Sequence, residues 1–277
     1  MLLSLLIVLL LYIFLYVNNH WIVVKDYELH FEDLPENFSG MTIVHLSDLH
    51  DATFGKDQKR LIKKVKKEQP DYIFFTGDFV DSNRYELHNS LQVIDELVNI
   101  APIYYVIGNH EVATNKVDDI VETLEEIGVT VLQNDAVTIT RGLQALTIGG
   151  IDDPLMRVSE QINDESIIAS NIEKAFSNVG EVDQFKLLLS HRPEFLDVYA
   201  QQNLQVVFAG HAHGGQVRLP LIGGLVSPGQ GWFPEYTSGV YQSFSTKMVV
   251  NRGLGNSLIP FRIFNFPEVV VVTLTRS

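Results

Sequence analysis

Eight residues of this chain have the types and spacing of a polynuclear metal site. They are Asp48 and His50, Asp78, Asn109 and His110, His191, then His211 and His213. Aspartate, asparagine and histidine each offer hard or borderline ligand atoms. A mixed N/O set of this kind suits Mn, Fe, Zn or Co and does not suit Ca. In Asp48-x-His50 and His211-x-His213 the two-residue spacing puts both members of a pair on one face of an extended backbone. A single carboxylate such as Asp78 can bridge two ions. Two ions about 3.5–4 Å apart can clamp a phosphoryl group and lower the pKa of a water between them. The chain has no cysteine, so thiolate zinc sites and disulfides are excluded.

Each of these groups follows a short apolar run. Residues 41–47 (MTIVHLS) stop at Asp48, 72–76 (YIFFT) at Gly77-Asp78, and 103–107 (IYYVI) at Gly108-Asn109-His110. Residues 186–190 (KLLLS) stop at His191, and 205–209 (QVVFA) at Gly210-His211. Runs this short, β-rich and continuously apolar are expected of strands buried on both faces. Helical patterns alternate with them at 56–69, 85–99, 115–127 and 159–178, with a further turn opened by Pro193. A late strand is expected over 267–275, and 214–240, rich in Gly and Pro, reads as loop with short strands. Strand–helix alternation gives an α/β class with helices covering the sheet. In open α/β sheets, sites form beyond the carboxyl ends of strands. Any one of these strand ends is a weak signal; five together point to a site.

The motifs in order are Asp48-x-His50, Gly77-Asp78-x-x-Asp81, Gly108-Asn109-His110-Glu111, His191, and Gly210-His211-x-His213. This set resembles the calcineurin-like metallophosphoesterases. The extensions around Ser47, at His191-Arg192-Pro193-Glu194 and at His213-Gly214-Gly215-Gln216 resemble a narrower group, the membrane-associated bacterial phosphodiesterases that include UDP-2,3-diacylglucosamine pyrophosphatase-like enzymes. Ala212 departs from the group's usual Thr, at a position that is not a ligand. The twin-arginine signal of some relatives is absent. The resemblance implies a metallophosphoesterase-type β-sandwich flanked by helices, with two divalent ions, Mn first among Mn, Zn, Fe and Co. It assigns Asp48, His50, Asp78 and His213 to one ion, and Asp78, Asn109, His191 and His211 to the other. It places His110 against the substrate, to stabilise the transition state or protonate the leaving oxygen. Asp81 and Glu111 would orient the histidines. His20, His30, His45 and His88 match no motif and are expected to be structural or at the surface.

Ahead of this domain, Met1–Val17 reads MLLSLLIVLLLYIFLYV, and no charged side chain appears before Lys25. Seventeen helical residues span about 26 Å, near the short end for a bilayer. No basic residue precedes the run and no small-residue cleavage site follows it, as a cleaved signal peptide would require. A retained single-pass membrane anchor over 1–24 is therefore expected, with a linker over 25–37 and one domain over 38–277. Tyr12, Tyr16 and Trp21 suit an interfacial aromatic belt. The charges leave open which side of the membrane the domain occupies. The stretch 56–67 carries seven of the twenty basic residues and one acidic residue, reading either as a solvated helix face or as a membrane-facing patch. A net charge of -14 argues against nucleic acid as a partner. Oligomeric state is not legible. The expected partner is a phosphate-ester substrate, with a phosphodiester or pyrophosphate bond of an envelope lipid first. The alternatives are a soluble nucleotide or, with every ligand position kept, the much weaker one of a non-catalytic scaffold.

Overall fold

Two six-stranded sheets stack face to face. The computed structural model describes residues 1–160, 162–179, 184–257 and 259–277. Sixteen strands are present among them: β1 (Val23–Phe31), β2 (Met41–Leu46), β3 (Tyr72–Thr76), β4 (Ile103–Val106), β5 (Thr130–Val131), β6 (Asp135–Arg141), β7 (Gln144–Gly150), β8 (Phe185–Leu189) and β9 (Val206–Ala209), then β10 (Arg218–Leu219), β11 (Gly223–Gly224), β12 (Val226–Ser227), β13 (Gly231–Trp232), β14 (Gly239–Ser243), β15 (Thr246–Val250) and β16 (Glu268–Arg276). The first sheet runs β1-β16-β2-β3-β4-β5 and the second β14-β15-β9-β8-β7-β6. The pairs β2–β3, β3–β4, β7–β8, β8–β9 and β9–β15 are all parallel. Their carboxyl ends therefore lie at the same end of each sheet.

The core between the sheets is built from the inward side chains of both. Ile43, Phe74, Val270 and Val272 of the first meet Ile148, Leu187, Phe208 and Val249 of the second. Helices close the outer faces, which is why the central strands are apolar at nearly every position. Helices α2 (Lys59–Lys67), α3 (Leu87–Leu97) and α5 (Val117–Ile127) cover the first sheet through Leu61, Val65, Val93, Leu97, Ile120 and Leu124. On the second sheet, α6 (Asp164–Phe176) and α7 (Leu196–Ala200) pack through Ile168, Ile172, Leu196 and Tyr199. One further helical turn, α4 (Asn109–Ala113), caps β4. Residue 161, inside the helix expected over 159–178, lies outside the described residues.

Two expectations are corrected. Residues 25–37 are not a linker: most of them form β1, an edge strand parallel to β16 from Val23↔Glu268 to Phe31↔Arg276. The reason is a period-2 pattern. Tyr27, Leu29 and Phe31 pack inward while Asp26, Glu28 and His30 face out. The first sheet thus begins at Val23, ahead of residue 38. The apolar N-terminal helix, α1 (Leu2–His20), ends before it, and the stretch 1–24 is helix only to His20. Two hairpins, β6–β7 and β14–β15, occupy stretches to which the sequence reading assigns no element.

Helix α1 is docked at its end. Asn19 Oδ1 accepts bonds from Asn256 Nδ2 at 2.7 Å and from the Arg262 N–H at 3.1 Å. Phe14 meets the Phe264 ring edge-on at 5.3 Å. Its outward side chains from Leu2 to Ile13 stay exposed.

Candidate metal centre

Every expected ligand lies just beyond the carboxyl end of a parallel strand. Asp48 and His50 follow β2, Asp78 follows β3, Asn109 and His110 follow β4, His191 follows β8, and His211 and His213 follow β9. The loops are bent hard. Asp48, His50, Asp78, His211 and His213 all have positive φ, between 47° and 63°. Non-glycine residues held there cost of order 1–3 kcal/mol each, a strain that clusters at functional sites. Packing leaves no room for a side chain at two neighbouring glycines. A Cβ on Gly108 would lie 2.4 Å from Asp78 Oδ1, and one on Gly253, itself at φ +74°, 2.6 Å from Asp48 Cβ.

The loops aim lone pairs at one another. His191 donates its Nδ1–H to the Thr76 carbonyl at 2.7 Å, which turns its Nε2 into the site. That nitrogen faces Asn109 Oδ1 at 3.0 Å, His211 Nδ1 at 3.1 Å and Asp78 Oδ2 at 3.2 Å. On the other side of Asp78, His50 Nε2 and His213 Nε2 stand 3.0 Å apart. Asp78 Oδ2 lies 3.6 Å from His50 Nε2, and Asp48 Oδ1 lies 3.4 Å from His213 Nε2. Two groups of potential ligands thus share Asp78. Asp48, His50, Asp78 and His213 form one; Asp78, His191 and His211 form the other, with atoms within 4.8 Å in each. All of these residues are buried except Asn109, which is partly so.

Acceptors converging in this way repel unless a cation lies between them. Without a metal ion, protons relieve that repulsion. Burial opposes charge on His191, yet the Asp78 and Asp48 carboxylates lift it to about 10. Burial also opposes charge on Asp78, yet His191 and His50 hold its carboxyl well below the usual range. Asp48 is pushed up to about 7 by burial and by Asp78. His50 is pushed down to about 3 by burial, and burial holds His211 and His213 well below the ordinary value too. His50, His211 and His213 are thus neutral, the form in which an imidazole binds a divalent ion, whereas His191 must give up a proton to do so. The donor set is N/O throughout and fits borderline divalent metal ions.

The sequence profile of calcineurin-like phosphoesterases matches residues 41–215, a span that contains every one of these ligands. The chain belongs to the calcineurin-like phosphoesterase family. Metallophosphoesterase YkuE of Bacillus subtilis (strain 168) is 28% identical over 268 residues, covering 95% of this chain and 88% of that one. Phosphodiesterase YaeI of Escherichia coli (strain K12) is 28% identical over 244 residues, covering 86% and 84%. A transmembrane protein with a metallophosphoesterase domain from Danio rerio is 27% identical over 263 residues, covering 92% of this chain and 57% of its own length. Among solved structures, a sulfate thiohydrolase, SoxB, superposes with a TM-score of 0.51 at 15% identity over 87% of this chain and 57% of that chain; it shares the fold. This phosphoesterase is a metal-dependent hydrolase of phosphoric esters.

Around the ligands, the phosphoesterase's remaining motif residues have distinct tasks. His110 Nδ1 accepts the Ser82 N–H at 3.1 Å, leaving Nε2 to face the Ser257 hydroxyl at 3.1 Å. The His110 ring stands edge-on to His50, with centroids 4.4 Å apart. Asp81 forms a third group with His50 and His110, but its carboxylate is gripped by Arg84 at 2.9 and 2.5 Å and stays 3.7 Å from His110. Glu111 orients no imidazole. Its two oxygens accept the N–H groups of Asp78, Phe79, Val80 and Gly108 at 2.8–3.1 Å. It therefore sets the backbone that carries Asp78, because it lies one helical turn beyond Gly108 and beneath that loop. His45 is buried, bonded to Thr76 Oγ1 at 2.8 Å, and pushed down to about 3 by burial; its role is structural, as expected.

Sequence reasoning missed one loop. Asn251–Gly255, after β15, lies directly under Asp48. The N–H groups of Leu254 and Gly255 donate to the Asp48 carbonyl at 3.1 and 2.7 Å, and Asn251 donates to the His45 carbonyl at 2.7 Å. The buried Arg262 guanidinium clamps this loop through the carbonyls of Arg252 and Gly255 and through Asn256 Oδ1. The signal was there: an apolar run ending in Asn251 repeats the pattern of the other strand ends.

Proposed function

We propose that this chain is a dinuclear phosphodiesterase or pyrophosphatase, anchored by α1 and acting on an amphiphilic substrate at a membrane. The observation that carries the dinuclear reading is the two ligand groups meeting on Asp78. Asp48, His50, Asp78 and His213 would hold one ion; Asp78, Asn109, His191 and His211 the other. Manganese is the first ion to add. Bound there, two divalent ions neutralise phosphoryl charge and lower the pKa of an attacking water. The chain's own groups supply the rest. The buried carboxylates and imidazoles would hold the ions at the carboxyl ends of the strands. As the water oxygen bonds to phosphorus and releases its proton to solvent, the P–O bond to the leaving group breaks. His110, with Nδ1 tied to the Ser82 N–H, presents Nε2 to hydrogen-bond the developing charge or to protonate that oxygen.

The amphiphile reading rests on where α1 docks. Nineteen helical residues span about 28 Å, close to the hydrocarbon thickness of a bilayer. A groove of about 590 Å³ runs between Tyr12, Leu15 and Tyr16 of α1 and Pro260 and Phe261, and ends at Asn256. Asn256 also lines the hollow beside His50 and Arg84. Acyl chains left in the bilayer along α1 would thus bring a phosphate toward the metal ligands. Leu221, Ile222, Trp232 and Phe233 on the β10–β13 ribbons are exposed and extend an apolar surface for membrane contact.

The first test is turnover of bis-p-nitrophenyl phosphate by the full chain in detergent. Activity should vanish on thorough chelation and return with Mn. Activity indifferent to chelation would sink the metal reading. Preference for detergent-dispersed lipid phosphodiesters over soluble nucleotides supports the amphiphile; the reverse preference favours a soluble nucleotide substrate.

A further inference from the structure

We propose that the cleft between the end of α1 and helix α2 is a binding site for the headgroup of an anionic phospholipid, separate from the catalytic centre. This inference rests on α1 lying in a bilayer. The cleft has a volume of about 620 Å³. One wall is apolar and aromatic, with Tyr16 and Trp21 at the end of α1 and just beyond it. The other is cationic, with Arg60, Lys63, Lys64 and Lys67. No carboxylate lines it. These four cations follow the spacing i, i+3, i+4, i+7, so they form one stripe along α2. The helix is held rigid by Leu61 and Val65, buried on its opposite face against the first sheet. Among the described residues Arg60, Lys63 and Lys64 enter no ion pair, and Lys67 has only a 3.8 Å contact with Glu68, at a lysine 82% exposed.

Position selects the occupant. Where α1 ends, the hydrocarbon must give way to headgroups, and Tyr and Trp favour that level. Cations held there face anionic phosphates at close range. Each Lys or Arg near such a surface gains about fivefold in affinity. Clustered cations on an otherwise acidic chain, of net charge -14, need a reason to sit together, and a phosphate diester beside an apolar wall meets both halves of the cleft. The neighbouring hollow along α2 carries Asp57 and Glu96 and has no wall from α1, so it lacks that match.

The test uses the two tryptophans of the chain, Trp21 and Trp232. In the full-length Trp232→Phe protein, reconstituted in phosphatidylcholine, Trp21 fluorescence is titrated with brominated phosphatidylglycerol or brominated phosphatidylcholine. Brominated phosphatidylglycerol should quench several-fold more effectively at equal mole fraction. Changing Arg60, Lys63, Lys64 and Lys67 to Gln should bring the two lipids to parity, while turnover of bis-p-nitrophenyl phosphate stays unchanged. Single Lys→Gln changes, at partly or fully exposed positions, should each remove only part of that preference. Equal quenching in the parent protein, or a preference that survives the quadruple change, overturns the site while leaving the anchor intact. Inorganic phosphate abolishing the preference at low concentration assigns the cleft to a free anion and also overturns the lipid. Quenching by neither lipid overturns the anchor itself.

Discussion

At the residue scale, the proposed function separates groups that would hold ions from a group that would act on the substrate. Asp78 belongs to both ligand groups, whereas His110 touches His50 and Ser82 and belongs to neither. Asp78→Ala should therefore lose bound metal, read by elemental analysis of the purified protein. His110→Ala should keep it and lose about 10²–10³-fold in kcat, the usual effect of removing one transition-state contact. Equal metal loss in both variants would refute the division. Glu111 makes a third kind of contribution. It is buried and accepts four backbone N–H groups, so Glu111→Gln turns one acceptor oxygen into an NH2 and leaves two donors unpaired. Each buried orphan costs about 1–3 kcal/mol. Thermal unfolding should show that loss, and metal affinity should fall with it because the Asp78 loop loosens.

At the element scale, β1 decides what can be cut away. It pairs along the whole of β16 and buries Leu29 and Phe31 in the inter-sheet core. A fragment beginning at 38 loses these and bares the long apolar edge of β16, an invitation to aggregate. Losing a buried Leu or Phe typically costs about 2–5 kcal/mol. A fragment beginning at Ile22 should stay in solution with a single sharp melt. One beginning at 38 should melt far lower or precipitate, and equal melting temperatures would show that β1 is dispensable.

At the scale of the whole molecule, the ligands tie the two sheets together. Asp48, His50, Asp78 and Asn109 come from the first sheet, His191, His211 and His213 from the second. An ion bound by both sheets stabilises the sandwich by mass action. At a free concentration about 100 times Kd the gain is about 2.7 kcal/mol. Metal-stripped protein should thus melt at a lower temperature and recover as Mn is titrated in. A melting temperature independent of Mn would mean that the ions bridge nothing.

Much of this was legible before any coordinates. Strands buried on both faces leave unbroken apolar runs, and the runs 72–76 and 103–107 became β3 and β4 nearly as bounded. That the candidate ligands would cluster was legible because a strand end has one direction and a polar residue placed there has one place to go. What the sequence could not reveal was which strands are neighbours. β16 inserts between β1 and β2, and β15 lies beside β9, pairings made between segments far apart in the chain. The strand nature of 23–31 could have been read from its alternation, but its partner could not. The same holds for Glu111, whose four N–H partners are assembled only by the fold, and for Asn251–Gly255 beneath Asp48. Local pattern sets what each segment becomes; only the packing of the two sheets decides which segments meet, and the site is made where they do.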